Sequence, residues 1–431
     1  MAARRSSGPV AARKKKHEPE AVQPMLFESA GHSEPEPRSE IAKAKTTSRR
    51  SRALATFYKE RKAHSAIKTE IVMKYFPAWL RIIGPRNRSK KIGYIDLFAG
   101  PGKYDDGTES TPLRIMRHIL ADPALRQSVM TLFTEKKASY FKALRHNISE
   151  LPGIESLKYA PQILRQSAGE SDISEYFDNR SIIPTFMFLD PFGYSGLSLK
   201  LIRAVLKDWG CEVIFFWNFN RINAARKNNK VRAAMDAIFG TSRVERLRLE
   251  LAGHHSEIER ERIILGTLRE ALDEAQGRYM EYFRFRNTSG NSTHHLVFVT
   301  KHELGQRIMK DIMAGQSSYC DSDGVASFEY NPAPNALPAP SLFGDSAPTA
   351  MQCLKDDLLA RFSGQALTVE EIYRQHNYGT RYVLKNYQEA LRRLYYDEGK
   401  VSLGKGHMPM SPAALKRRAM SGKYVVIFDK V

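Results

Sequence analysis

Two apolar runs in this 431-residue chain each end in an aspartate followed by turn residues: K-I-G-Y-I-D-L-F-A-G-P-G-K-Y over residues 91–104 and F-M-F-L-D-P-F-G-Y-S-G over residues 186–196. Most carboxylates are merely solvated, so either aspartate alone says little. Paired, they ask what ligand needs one acid near a glycine turn and a second beside it. The first run, with Gly100 and Gly102, reads as a strand, a tight turn and then a helix, where free backbone N–H groups face outward.

Three ligand classes compete for that turn. A triphosphate loop needs a glycine four residues ahead of Gly-Lys and a Ser or Thr after it, and Leu97 and Tyr104 stand there instead. The dinucleotide pattern wants a third glycine where Asp105 is found. S-adenosyl-L-methionine remains: its amino acid part can lie over the turn while Asp96 pairs with its ammonium group. Asp96, Phe98, Gly100 and Gly102 are therefore the candidate cofactor contacts. Glu135, closing T-L-F-T-E, suits two ribose hydroxyls, and equally suits an exposed helix start beside Lys136 and Lys137. Asp172, ending G-E-S-D, suits an adenine contact or a helix N-cap.

The second motif sets the chemistry. An exocyclic base amine has its lone pair delocalised into the ring, so it attacks a sulfonium methyl only when acceptors hold its N–H groups. Asp190 and the Pro191 carbonyl are the candidate acceptors, and Phe192 or Tyr194 the candidate stacking rings. The plainer account is a strand ending in a turn with aromatics in the core. Downstream, Asn218, Asn220 and Arg221 of W-N-F-N-R suit the mouth of a substrate site or the cap of the next helix.

The elements that must position these residues alternate. An amphipathic helix places Ile67, Ile71, Tyr75 and Trp79 at helical spacing. Strands are expected at 92–98, 129–134, 157–163, 185–189 and 212–217, with helices at 112–120, 138–150, 172–178 and 197–208 between them. Residues 221–277 read as a helical insert, whose Lys227 and Lys230 suit a phosphate backbone or a plain solvated face. Runs at 279–286 and 295–300, joined by N-T-S-G-N-S-T, read as an antiparallel pair. The fold class is thus α/β: a Rossmann-like class I methyltransferase arrangement, with a mostly parallel seven-stranded sheet ending in an antiparallel hairpin.

Composition frames the domains. Residues 1–52 are rich in charge, Pro and Ser and read as a disordered basic tail; the methyltransferase-like domain is expected over 53–330. A Pro- and Ala-rich linker at 331–350 separates a module over 351–431. That module's helices at 351–362, after Thr368, and at 382–397, then strands V-S-L and K-Y-V-V-I-F, read as a winged helix-turn-helix. Arg381, Lys385, Arg392 and Arg393 give its third helix a basic face for DNA or RNA, while such modules also dock proteins.

Lys plus Arg total 67 against 47 Asp plus Glu, a formal charge of +20, which favours a polyanionic partner. No run is apolar over bilayer length and no secretory leader is visible, so a soluble, intracellular protein is expected. Cys211, Cys320 and Cys353 are scattered, and the pairs His254–His255 and His294–His295 lack partners at ligand spacing, so no metal site is expected.

D-L-F-A-G-P-G-K-Y, F-L-D-P-F-G-Y-S-G, the upstream H-S-A-I-K with Trp79, and H-L-V-F-V-T-K-H-E-L-G-Q-R-I-M-K-D-I-M together resemble the three-Cys-motif partner (TcmP) proteins over about residues 56–320. The resemblance implies a bacterial, cytoplasmic protein with a class I methyltransferase-like fold, encoded beside a Cys-rich, radical-S-adenosylmethionine-like partner. More distantly, D-L-F-A-G followed by D-P-F is similar to the D-x-F-x-G and D-P-P-Y pair of adenine N6 methyltransferases. That likeness implies cofactor contacts at Asp96, Gly100 and Gly102 and amine contacts at Asp190 and Pro191. Phe192 and Gly193 replace proline and the stacking aromatic, and Tyr194 is one residue late. The expectation is an S-adenosyl-L-methionine-dependent N-methyltransferase on DNA or RNA, with the adenine amino group as acceptor, or a catalytically inactive methyltransferase-like nucleic-acid adaptor for a three-Cys-motif partner.

Overall fold

A computed structural model describes residues 62–166, 173–191, 196–219, 232–253, 255–333, 348–404 and 420–429, all within one compact unit, Phe57–Val431. Helix α1 runs over residues 62–83. Its apolar stripe, Ile71, Val72, Tyr75, Phe76 and Trp79, is buried, and the same stripe continues backwards through Lys68 and His64. The helix lies on the sheet through aromatic contacts: Tyr75 to Phe298 at 4.7 Å, Phe76 to Tyr94 at 5.3 Å and Trp79 to Phe186 at 5.8 Å between centroids.

The sheet consists of β1 (Ile92–Asp96), β2 (Val129–Thr134), β3 (Gln162–Leu164), β4 (Thr185–Leu189), β5 (Glu212–Trp217), β6 (Tyr279–Arg286), β7 (Ser292–Thr300) and β8 (Glu329–Tyr330). Their order is β3-β2-β1-β4-β5-β7-β6-β8. Strands β1 to β5 are parallel, and β7 runs antiparallel to both its neighbours. The sheet therefore has eight strands where the sequence suggests seven. The extra strand β8 has two residues, too few to show a period, and exists by pairing Arg284 with Glu329 and Phe285 with Tyr330.

Every residue of β1 and β4 is buried, as expected of central parallel strands covered on both faces. Alternation divides them. Tyr94, Phe186, Phe188 and Ile214 join the core under α1, whereas Ile95, Met187, Leu189, Val213 and Phe215 join a second core on the far face. Helices α2 (Thr111–Ala121), α3 (Pro123–Ser128), α4 (Ala138–Ser149), α5 (Ile173–Asp178) and α6 (Leu199–Leu206) fill the crossovers. The insert contributes α7 (Arg232–Phe239), α8 (Thr241–Glu250) and α9 (Glu257–Glu274), the last opened by a Ser256–Glu259 capping box. Its Ile238, Phe239, Ile264 and Leu268 complete the far core with Trp217.

After α10 (Glu303–Gln316) comes the C-terminal module: α11 (Ala350–Phe362), β9 (Ala366–Thr368), α12 (Val369–His376), α13 (Leu384–Tyr396), β10 (Val401–Leu403) and β11 (Val425–Phe428). The three strands form an antiparallel sheet, β10-β11-β9, giving a winged-helix domain with its own core of Leu354, Leu358, Tyr387, Leu391 and Val426. Thr368 and Glu371 cap α12 reciprocally. Of the four basic residues expected on the third helix's face, two are engaged in ion pairs. Arg392 binds Glu389 and Asp397, and Arg393 binds Glu389 and, at 2.7 Å, Asp323 of the preceding domain. Arg307 to Glu370 (2.8 Å) and the buried Lys310, donating to the Asn377 carbonyl (2.8 Å), tie α10 to α12 and the turn after it.

Candidate active site at the carboxyl edge of the sheet

Registers place the acidic residues side by side. Asp96 is level with Phe133 on β2 and with Phe188 on β4. Glu135 and Asp190 thus each lie two residues beyond Asp96, on its two flanks. Strand spacing sets the two flanking tips roughly 10 Å apart. Continuing the β4–β5 register by one residue beyond Leu189 and Phe215 brings Asp190 level with Phe216. Asp96 and Phe216 point, by alternation with Tyr94 and Ile214, toward the α1 face.

Asp96 is 1% exposed, and its Oδ1 accepts the Phe98 N–H at 3.0 Å. Burial pushes its carboxyl up to about 8, opposed by the Phe98 hydrogen bond and helped by the charge of Asp190. Among the described residues no Lys or Arg forms an ion pair with it. Glu135, also buried, accepts the Gly100 N–H at 3.0 Å and the Lys137 N–H at 2.7 Å. The Gly100 N–H is therefore turned onto Glu135 rather than outward. Nor does a helix follow the turn directly: residues 103 and 109 bridge, and α2 opens only at Thr111.

The turn itself is clamped. Ser110 donates N–H and Oγ to the Gly102 carbonyl at 2.8 and 2.9 Å, and Asn147 donates to the Pro101 carbonyl at 2.9 Å. Gly100 (φ 68°) and Gly102 (φ 81°) are both left-handed, where a Cβ is strained. They differ in surroundings: a Cβ on Gly102 meets Leu144 at 3.1 Å, whereas one on Gly100 meets nothing within 4 Å. The space over Gly100 is open, and the buried Asp96 carboxyl borders it without an ion-pair partner among the described residues. The two carboxyls, Asp96 and Glu135, have the acceptor chemistry that the ammonium and hydroxyl groups of S-adenosyl-L-methionine would require.

Asp190 is held by a residue to which the sequence reading assigns no role. Lys68, 9% exposed in its side chain, donates from α1 to Asp190 Oδ2, and its Nζ stands 4.7 Å over the Phe216 ring. His294 stacks on the other partner of that contact, 4.8 Å from Phe216 at 7°. One helical turn before Lys68, His64 Nε2 lies 3.0 Å from the Arg286 carbonyl. The available signal was a lysine on the apolar stripe of α1, between His64 and Val72, where a charge needs a partner.

Pro191 is buried, Phe98 and Asn218 are half-buried, and Trp217 is a core residue. Phe192, Tyr194, Asp172, Asn220 and Arg221 lie outside the described residues. No group of three or more His, Cys, Asp or Glu residues gathers to hold a metal among the described residues.

It is the strand order, with its one antiparallel strand, and the acid-tipped carboxyl edge that define the class: a class I methyltransferase-like fold carrying a C-terminal winged-helix domain. Residues 329–403 match a family described as GMT-like wHTH domain. Among solved structures, the chain is similar to DszA carbon methyltransferase, at 12% identity, covering 54% of this chain and 53% of that one, TM-score 0.33. The chain thus spans about half the length of that protein. It is likewise similar to the methyltransferase domain of bacterial CtHen1 (13% identity, 54% and 99% covered, TM-score 0.29). A third likeness is to the N-terminal domain of human METTL16 in complex with SAH (12% identity, 53% and 69% covered, TM-score 0.28). No curated protein matches the chain.

Proposed function

We propose that the protein is an S-adenosyl-L-methionine-dependent N-methyltransferase acting on nucleic acid, with the adenine amino group as acceptor. The observation that carries this reading is the placement of Asp96 and Asp190 on neighbouring parallel strand tips, two register positions apart. Bound S-adenosyl-L-methionine supplies an electrophilic methyl group. Asp96 would hold its ammonium, Glu135 its ribose hydroxyls and Asp172 its adenine, with the open space over Gly100 leaving room above the backbone. Asp190 Oδ1 and the Pro191 carbonyl accept the substrate amine's N–H groups and localise its lone pair. Lys68 fixes the Asp190 side chain by taking Oδ2. Phe192 and Tyr194 stack on the extruded base, and Asn218, Asn220 and Arg221 line the mouth. The formal +20 charge supports a polyanionic substrate.

A second reading keeps the fold without catalysis: a nucleic-acid-binding adaptor serving a three-Cys-motif partner. The Lys68–Asp190 pair favours it, because the acceptor carboxylate is already engaged by a resident cation. Isothermal titration with S-adenosyl-L-methionine separates the two. Binding by the wild type that is lost in Asp96→Asn supports the enzyme; absence of binding removes it. Mass spectrometry of bases from cells with and without the gene then identifies the acceptor.

A further inference from the structure

The opposite, amino-terminal edge of the sheet carries a feature the proposed chemistry does not use. Residues 84–91, G-P-R-N-R-S-K-K, lead into β1, residues 181–184 lead into β4, and Trp209 precedes β5. Together they line an open groove of about 480 Å³ whose walls include Arg86, Arg88, Ser181, Ile182, Pro184 and Trp209. Trp209 is 52% exposed, an unusual place for an indole.

The basic side of the groove is built rather than frayed. Asn87, 7% exposed, donates to the Lys91 carbonyl at 2.7 Å and accepts from Ser89 N at 3.2 Å and Ser89 Oγ at 2.8 Å. Lys90 takes a left-handed φ of 54° to close the turn. The fold thus spends a buried amide and a strained residue on presenting Arg86 and Arg88, both exposed, outward. Neither forms an ion pair among the described residues. The nearby acid, Asp208, is already engaged by Lys207, by Ser181 Oγ and by the Ile182 N–H. Lys91 and Lys158 flank Tyr159 at 5.8 and 5.5 Å and extend the positive ridge.

We propose that this groove binds single-stranded nucleic acid, Trp209 stacking on a base while Arg86 and Arg88 take adjacent phosphates. Two exposed guanidinium groups beside a half-exposed indole match alternating phosphate and base, and an open groove suits an extended strand better than an enclosed small molecule. The site lies at the opposite strand ends from Asp96 and Asp190, so it grips the strand independently of any transfer chemistry.

The test is fluorescence anisotropy of a labelled oligo(dT) with the full chain over a salt series. At fixed salt, Trp209→Ala weakens binding on the order of tenfold. The double variant R86Q/R88Q lowers the slope of log K against log salt by about 1.4, from roughly 0.7 per single-strand phosphate contact. Both variants keep the wild-type melting temperature and S-adenosyl-L-methionine titration, since the altered side chains are exposed and remote from the cleft. The proposal is overturned if the wild type does not bind the oligonucleotide, or if both variants bind as the wild type does. It is also overturned if poly-glutamate competes equally and Trp209→Ala has no effect, which marks an acidic-polypeptide surface. Failure of cofactor binding with oligonucleotide binding intact tells against the enzyme reading alone.

Discussion

Lys68 and Asp190 meet across 122 residues of sequence, the ammonium of one on the carboxylate of the other, at the point where α1 crosses the tip of β4. The side chain of Lys68 is 9% exposed and that of Asp190 28%, so the cation is the more deeply buried partner.

Removing one member strands the other. Asp190→Asn leaves Lys68 without its counter-ion and is expected to cost about 2–4 kcal/mol; Lys68→Met strands the better-solvated Asp190 and costs about 1–2. The double variant costs less than the sum by at least about 1 kcal/mol. Urea denaturation of the four proteins measures the cycle, and additive effects would show that the contact carries no energy.

Asp96 makes stability depend on pH. Its carboxyl takes up a proton near pH 8 in the folded chain, against 3.8 ordinarily. Folding therefore binds a proton between those values, and stability falls as pH rises through them, reaching its low plateau above 8. Asp96→Asn removes that loss, so the variant gains on the wild type by up to a few kcal/mol at pH 8.5 and not near pH 4. Glu212, raised to about 7 by burial, shares the window, but it cancels in the comparison. A cation bound at Asp96 expels its proton at pH 7, so the titration enthalpy with S-adenosyl-L-methionine should vary with the buffer's ionisation heat.

Gly100 and Gly102 should separate binding from folding. Both pay about 1–2 kcal/mol for a Cβ at positive φ. Gly102→Ala additionally presses on Leu144 and Leu113, and lowers the melting temperature further. Gly100→Ala fills the open space and is expected to abolish cofactor binding with the smaller loss of stability, as calorimetry and thermal melts on the same samples would show.

The winged-helix domain should unfold with its neighbour. Val325, 1% exposed, belongs to that domain's core although it lies before the matched segment 329–403. Val325→Asp is expected to cost about 3 kcal/mol or more and expose residues 350–403 to protease. Arg393→Ala, which loses a partly exposed pair with Asp323, costs no more than about 1 kcal/mol.

Local pattern made much of this protein legible. Mostly apolar segments of five or six residues announce β1, β2, β4 and β5, because central parallel strands are covered on both faces. Thr368 with Glu371 marks the start of α12, because a cap is satisfied within one turn of chain. Two acids at apolar run ends locate the candidate site, since a carboxylate at a strand tip is a feature of a few adjacent residues. Non-local facts stayed hidden. Lys68 sits among helical residues with nothing beside it to name Asp190; β8 has meaning only as a partner of β6; and Arg393 is a basic residue in sequence but half of an ion pair with Asp323 in space. The chain's own chemistry settled which segments become strands and helices and which residues end them. Tertiary packing settled which charges are cancelled, because a side chain's partner is chosen by distance in the folded molecule and not along the chain.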